Sequence, residues 1–201
     1  MEDGAIGFRV KSGWAVAVLL SASGTSLRII DRRRVQLADP AVEDSAQPYH
    51  AALELPKTQG GEVIARLVKS TTQFASRSIG RLLQEYRALG FRLLGAGIVV
   101  GSDADPAAIK NDHIRAHAEE GRLFRVVIEA PLKDLGLNCS VTPEKKLFEV
   151  ASTLLGRDES QLKGEVTLLG KAIDGPWRAE DKCAALAAWI ELKRSARSRR
   201  A

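Results

Sequence analysis

The 201-residue sequence predicts an α/β domain of three layers, with a mixed sheet and helices on both faces. Three observations predict it. The chain opens on apolar, β-rich segments separated by glycine and polar turns. A long segment of helical periodicity follows, and strand and helix segments then alternate before the chain closes on helices. The composition, 45% hydrophobic and 27% charged, suits one domain that buries its own core without staples. The expected limits are a single domain over 1–192 and a basic, flexible tail over 193–201.

Residues 5–20 are rich in Val, Ala and Leu, with Gly7 and Gly13 as punctuation, and read as buried strand. "SASGTS" supplies a turn. "LRIIDRRRVQL", Leu27 to Leu37, has apolar clusters on either side of Asp31 and reads as one bent strand or two in succession. "ADPAVEDSAQP" is a proline-bracketed loop, and "YHAALEL" a short edge strand or extension. From Glu62 to Leu89, apolar positions such as Leu67, Phe74, Ile79, Leu83 and Tyr86 recur at three-four spacing, which predicts a long amphipathic helix stopped by Gly90. "FRLLGAGIVVG" is a central strand, with small residues where a helix must lie close. Asp105-Pro106 then marks a helix entry, Asp as cap and Pro at the first position. A helix or helix pair is expected from Pro106 to Leu135, kinked or ended near Pro131. "LNCSVT" is a short strand, Thr142-Pro143-Glu144 opens a helix ending at Gly156, Glu159 to Leu169 is a further helical segment, "IDGPW" is a turn, and "AEDKCAALAAWIELKRSARS" is the last helix.

Cys139 and Cys183 sit among apolar neighbours without metal-ligand spacing, so they read as structural thiols of a reducing, cytoplasmic environment. "WAVAVLLSASG" is shorter than the roughly 18 residues a membrane span needs. The residues before it carry mixed charge, so a buried strand explains it better than a signal core, and no membrane partner is expected. The net charge is +5, and "KRSARSRR" alone supplies five cations, Lys193, Arg194, Arg197, Arg199 and Arg200. Such a tail attracts phosphate without reading sequence, or simply solvates the terminus.

Two stretches refine the picture. "IGFRVKSGWAVAVL" resembles the opening strand of Holliday-junction-resolvase-like members of the ribonuclease H-like superfamily, in which an apolar strand meets a Gly-containing turn and resumes at a Gly-aromatic pair. "DKCAALAAWIEL" is similar to their last helix, where an Asp precedes a small-residue face that packs on the sheet. The likeness spans most of the chain in element order and these two segments in residues. It implies a ribonuclease H-like fold whose chemistry uses acids from the first strand, the fourth strand and the last helix to hold two Mg²⁺ or Mn²⁺ ions at a scissile phosphate. The first-strand position is here Arg9, and no carboxylate lies on that strand. Asp103 and Asp105 follow the fourth strand, and Asp181 matches the earlier acidic position of the last helix, while the later one is Ala184.

The resemblance therefore implies a member that has lost its central metal ligand. An arginine cannot ligate a cation. Arg9 is instead expected to hold a phosphate, or to pair with Asp103 or Asp181 in the vacated site. The leading function is a catalytically degenerate, nucleic-acid-associated binding or assembly module for DNA or RNA, using Arg9, Lys11, Arg66, Lys69, Arg77, Arg81, Arg197, Arg199 and Arg200. One alternative is a divergent nuclease with Asp103, Asp105 and Asp181 as catalytic acids. Its metal would be held by Asp103 and Asp181 with His113 or His117 replacing a carboxylate. The other is a protein-interaction module that self-associates or binds a protein partner. Plainer roles stand beside each residue: Asp105 as a helix cap, Asp181 as a first-turn acid, the basic residues as a solvated face. His113 and His117 share a helix face, but "HIRAH" has Ile114 where a zinc protease needs its Glu. The three tryptophans read as core and core rim. The sequence holds no Walker loop and no GxSxG elbow, and Gly95 and Gly97 precede a strand core, which excludes a dinucleotide fingerprint.

Overall fold

The computed structural model describes residues 1–23 and 26–198. Five strands form one sheet: β1 (Glu2–Lys11), β2 (Trp14–Ser23), β3 (Ser26–Gln36), β4 (Phe91–Val100) and β5 (Cys139–Pro143), in the order β3-β2-β1-β4-β5. The β1-β2 and β2-β3 pairs are antiparallel, while β1-β4 and β4-β5 are parallel. The sheet is thus mixed, with β1 the strand at which direction changes. The apolar run 5–20 is two strands, because Gly13 takes φ +80° and turns the chain back on itself. β3 is the single bent strand, and its register against β2 shifts opposite Ile30. β1 begins earlier than its apolar pattern and includes Glu2 and Asp3. Those carboxylates lie at the strand's start, far from Arg9, and pair with Arg28 and Arg92.

Helices α1 (Lys57–Ala88) and α2 (Asp112–Asp134) cover one face of the sheet. Leu67, Ile79, Leu83 and Tyr86 of α1 and Phe124, Val127 and Ile128 of α2 pack with Ile6, Phe8 and Val10 of β1. The other face is covered by α5 (Ala179–Ser198), with α3 (Leu147–Leu155) and α4 (Glu159–Leu169) outside it. Trp189 is buried in this second core, and Trp14 and Trp177 pack at its margin. α5 lies unusually close to the strands. A Cβ on Gly7 would fall 1.7 Å from the Ala184 carbonyl oxygen, and one on Gly97 would fall 2.7 Å from that of Ala187. The small residues of β1, β4 and α5 are matched surfaces of one contact.

The expected edge strand at "YHAALEL" is instead a 3-10 turn, His50–Ala52, facing α1 and α2. α1 begins five residues before Glu62, directly after Pro56, and Gly60, a poor helix former, is carried in its first turn, its amide donating to the Pro56 carbonyl at 2.8 Å. Asp105 caps a 3-10 turn, Pro106–Ala108, and Asn111 caps α2, so the expected helix pair is a turn and a helix. α2 runs three residues beyond Pro131. Gly156 ends α3 at φ +69°. The boundary expected at residue 192 falls within α5, which continues through Ser198, and Arg199 and Arg200 lie outside the described residues.

Candidate functional site

Alternation along β1 sends Ala5, Gly7 and Arg9 toward α5. Gly7 accepts the helix backbone, and two residues later Arg9 enters the space beside the helix's first turn. Its side chain is only 5% exposed. The guanidinium forms an ion pair with Glu144 and donates to the carbonyl of Val10, while its Nε is buried without a partner among the described residues. Glu144 is the first residue after β5. Because β1, β4 and β5 are parallel, their carboxyl ends share one end of the sheet, which brings residues 135 apart in sequence together. Cys183 of α5 donates to Glu144 at 3.7 Å. Burial, then the Glu144 charge, pushes the Cys183 thiol up to about 11, against the opposing pull of Arg9. Lys11 pairs with Glu180 at 3.3 Å. A backbone hydrogen bond, then Lys11, holds the Glu180 carboxyl below the usual carboxylate range despite desolvation.

The partner of Arg9 is therefore Glu144, not Asp103 or Asp181. Asp181 is buried, accepts from the Arg178 amide at 2.7 Å and lies 3.6 Å from Arg32, the posture of a first-turn acid at the start of α5. Asp103 is exposed in the loop after β4, beside a hollow of about 280 Å³ that Asp105, Arg122 and Arg125 also line. Asp105 accepts from the Ala107 amide at 3.1 Å. Among the described residues, Asp103, Asp105 and Asp181 do not converge on a common ion position. His113 and His117 stand on α2, the opposite face of the sheet from Asp181, and are met there by His50.

The sequence places Glu144 at a helix start, Cys183 among structural thiols and His50 in an edge segment, and in none of these does it supply the partner found here. Glu144 had one local signal, its place directly after a short strand. The helical period of α2 puts Glu120 on the buried side, but nothing local ties it to His50, 70 residues away.

The basic candidates separate by position. Arg66, Lys69, Arg77 and Arg81 are exposed on one face of α1 and form no ion pair among the described residues. From Arg66 to Arg81 the stripe is roughly 22 Å long. Lys11 is engaged by Glu180, and Arg197 donates to the Leu154 carbonyl at 3.0 Å. Arg34 stacks on Trp14, with its guanidinium carbon 4.0 Å from the ring centre.

No family model and no curated protein matches the sequence. Solved structures do match. The structure of Thermus thermophilus RuvC is 11% identical, covers 97% of this chain and 96% of that one, and superposes with a TM-score of 0.58. T. thermophilus RuvC in complex with a Holliday junction substrate is 8% identical, covers 96% and 95%, and gives 0.56. The yeast mitochondrial Holliday junction resolvase Ydc2 is 11% identical, covers 98% of this chain and 81% of that one, and gives 0.51. The chain has the ribonuclease H-like, resolvase-like fold. Among the described residues no helix is long and apolar enough to cross a membrane.

Proposed function

We propose that this protein is a nucleic-acid-binding member of the resolvase fold that does not cut by two-metal chemistry. The observation that carries the reading is the Arg9–Glu144 ion pair at the carboxyl end of β1. A two-metal centre needs carboxylates converging on both ions. Here a guanidinium takes the first-strand position, its partner carboxylate neutralises it, and Asp181 is spent on a helix start and on Arg32. Mg²⁺ and Mn²⁺, the hard cations of such centres, would find at the first-strand position a guanidinium that offers no ligand. The basic stripe of α1 offers phosphate contacts, and a RuvC complex with a Holliday junction supports branched DNA as the first ligand to try.

The test is fluorescence anisotropy with a labelled four-way junction, a matched duplex and single strands of DNA and RNA, over a salt series, followed by cleavage assays in Mg²⁺ and Mn²⁺. Binding that weakens steeply with salt, with no cleavage, is expected. Divalent-dependent cleavage lost in Asp181→Asn would overturn the degenerate reading in favour of a divergent nuclease. Absence of binding to every nucleic acid, with concentration-dependent self-association, would leave a protein-interaction module.

A further inference from the structure

His50, His113 and His117 bring one nitrogen each within 4.8 Å of one another, with ring centres 4.3–4.8 Å apart. His113 and His117 are one turn apart on the exposed face of α2, and His50 is supplied by the 3-10 turn packed beside it. Behind them lies Glu120, whose side chain is fully buried. Its carboxylate receives His50 Nδ1 at 2.7 Å and the His50 amide at 3.3 Å, and its second oxygen has no partner among the described residues. His50 Nε2 is likewise buried and unpartnered. A carboxylate taken wholly out of water is costly unless something positive compensates it. Among the described residues the hydrogen-bonding side chain it meets is an imidazole whose ring lies against two more imidazoles.

We infer that His50, His113 and His117 form a site for a borderline divalent transition-metal ion of the Zn²⁺ class, with Glu120 as the carboxylate that orients His50. Each element has a chemical reason. A carboxylate accepting Nδ1–H fixes the tautomer that presents Nε2 to a metal, and raises the basicity of that nitrogen. Three neutral imidazoles select Zn²⁺, Co²⁺, Ni²⁺ or Cu²⁺ over Mg²⁺, which prefers oxygen. A dication facing the buried carboxylate gives Glu120 the positive charge it lacks. Nitrogens on a tetrahedral ion at about 2.0–2.1 Å stand roughly 3.4 Å apart. The nitrogens, up to 4.8 Å apart, need to close by up to about 1.4 Å, which the exposed side chains of His113 and His117 can supply by rotation. Three protein ligands leave a fourth position for water. It faces outward, because His113 and His117 are exposed, and His117 also lines a groove of about 350 Å³ with Lys11, Ser12 and Gly101 at the carboxyl ends of β1 and β4.

The site shares no ligand with the Arg9–Glu144 pair, so it stands or falls independently of the nucleic-acid reading. The test is calorimetric titration of tag-free protein with Zn²⁺ and with Mg²⁺, and visible absorption of the Co²⁺ complex. One Zn²⁺ per chain is expected, together with a Co²⁺ spectrum of four-coordinate intensity and no heat from Mg²⁺. His117→Ala, which changes an exposed side chain and leaves the core alone, should weaken Zn²⁺ at least 100-fold and abolish the Co²⁺ bands. Glu120→Gln should weaken it 10- to 100-fold. Zn²⁺ binding unchanged in His117→Ala, binding lost instead in Cys139→Ser/Cys183→Ser, or no stoichiometric binding at all would each overturn the site.

Discussion

Arg9 and Glu144 contribute unequally to their ion pair. The arginine side chain is 5% exposed and the glutamate 43%, so only the arginine is charged in a dry setting. Removing Glu144 strands that charge, whereas removing Arg9 returns a carboxylate to water. Glu144→Ala should therefore destabilise by about 2–3 kcal/mol, below the cost of breaking a fully buried pair, and lower Tm by roughly 5–10 °C. Arg9→Met, which fills the space without charge, should be close to neutral in the same thermal melt; a larger loss than for Glu144→Ala would contradict the asymmetry. Cys183, beside the pair, gives a pH signature. Its folded thiol keeps its proton up to about 11, against an ordinary value of 9. Between those values the unfolded chain binds fewer protons than the folded one, so stability falls as pH rises. Melting temperatures measured from pH 9 to 11 should drop more steeply for the native protein than for Cys183→Ala. At neutral pH the same thiol should react slowly with iodoacetamide, because the thiolate is the nucleophile.

The elements that could be read from sequence are those whose pattern is local. The period of α1, the glycine-rich β4, the Asp105 cap and the small face of α5 all express forces acting within a few residues. What could not be read depends on partners far along the chain. "YHAALEL" has the residues of an edge strand, yet His50 is drawn into a 3-10 turn by a buried carboxylate on α2. The apolar run of β1 and β2 hides its turn, since both strands are buried and neither alternates with polar residues. Arg9 was recognisable as a misfit in an apolar strand, but Glu144 was not recognisable as its answer. The close approach of α5 is the element-scale feature most open to test. Gly7→Ala puts a methyl carbon where the Ala184 oxygen lies, and main chain cannot turn aside as a side chain can. We expect a loss of about 3 kcal/mol or more, measured by urea unfolding, because helix and strand must separate. Gly61→Ala, at an exposed helical position with open space around it, should leave stability unchanged or raise it by up to about 1 kcal/mol.

For the molecule as a whole, the +5 charge matters less than where it lies. Arg66, Lys69, Arg77 and Arg81 carry a line of cations along α1 that no carboxylate pairs among the described residues, while Arg32, Arg33 and Arg34 of β3 are tied to Asp31, Glu85, Asp181 and Trp14. If α1 tracks a phosphate backbone, replacing its four cations by Gln should reduce the salt slope of junction binding by about three to four, one unit or slightly less per phosphate. An unchanged slope would exclude α1 as the contact surface. The sheet order has a last consequence, for translation. β1 is made first but pairs on one side with β4, about eighty residues later. At about 5–20 residues per second, a ribosome takes on the order of 4–16 s to supply that partner. Until then the nascent three-stranded meander presents an apolar strand with a free hydrogen-bonding edge, and α5, later still in the chain than β4, has yet to cover its glycine-notched face. Nascent chains stalled before β4 should therefore be the form of this protein most dependent on chaperones.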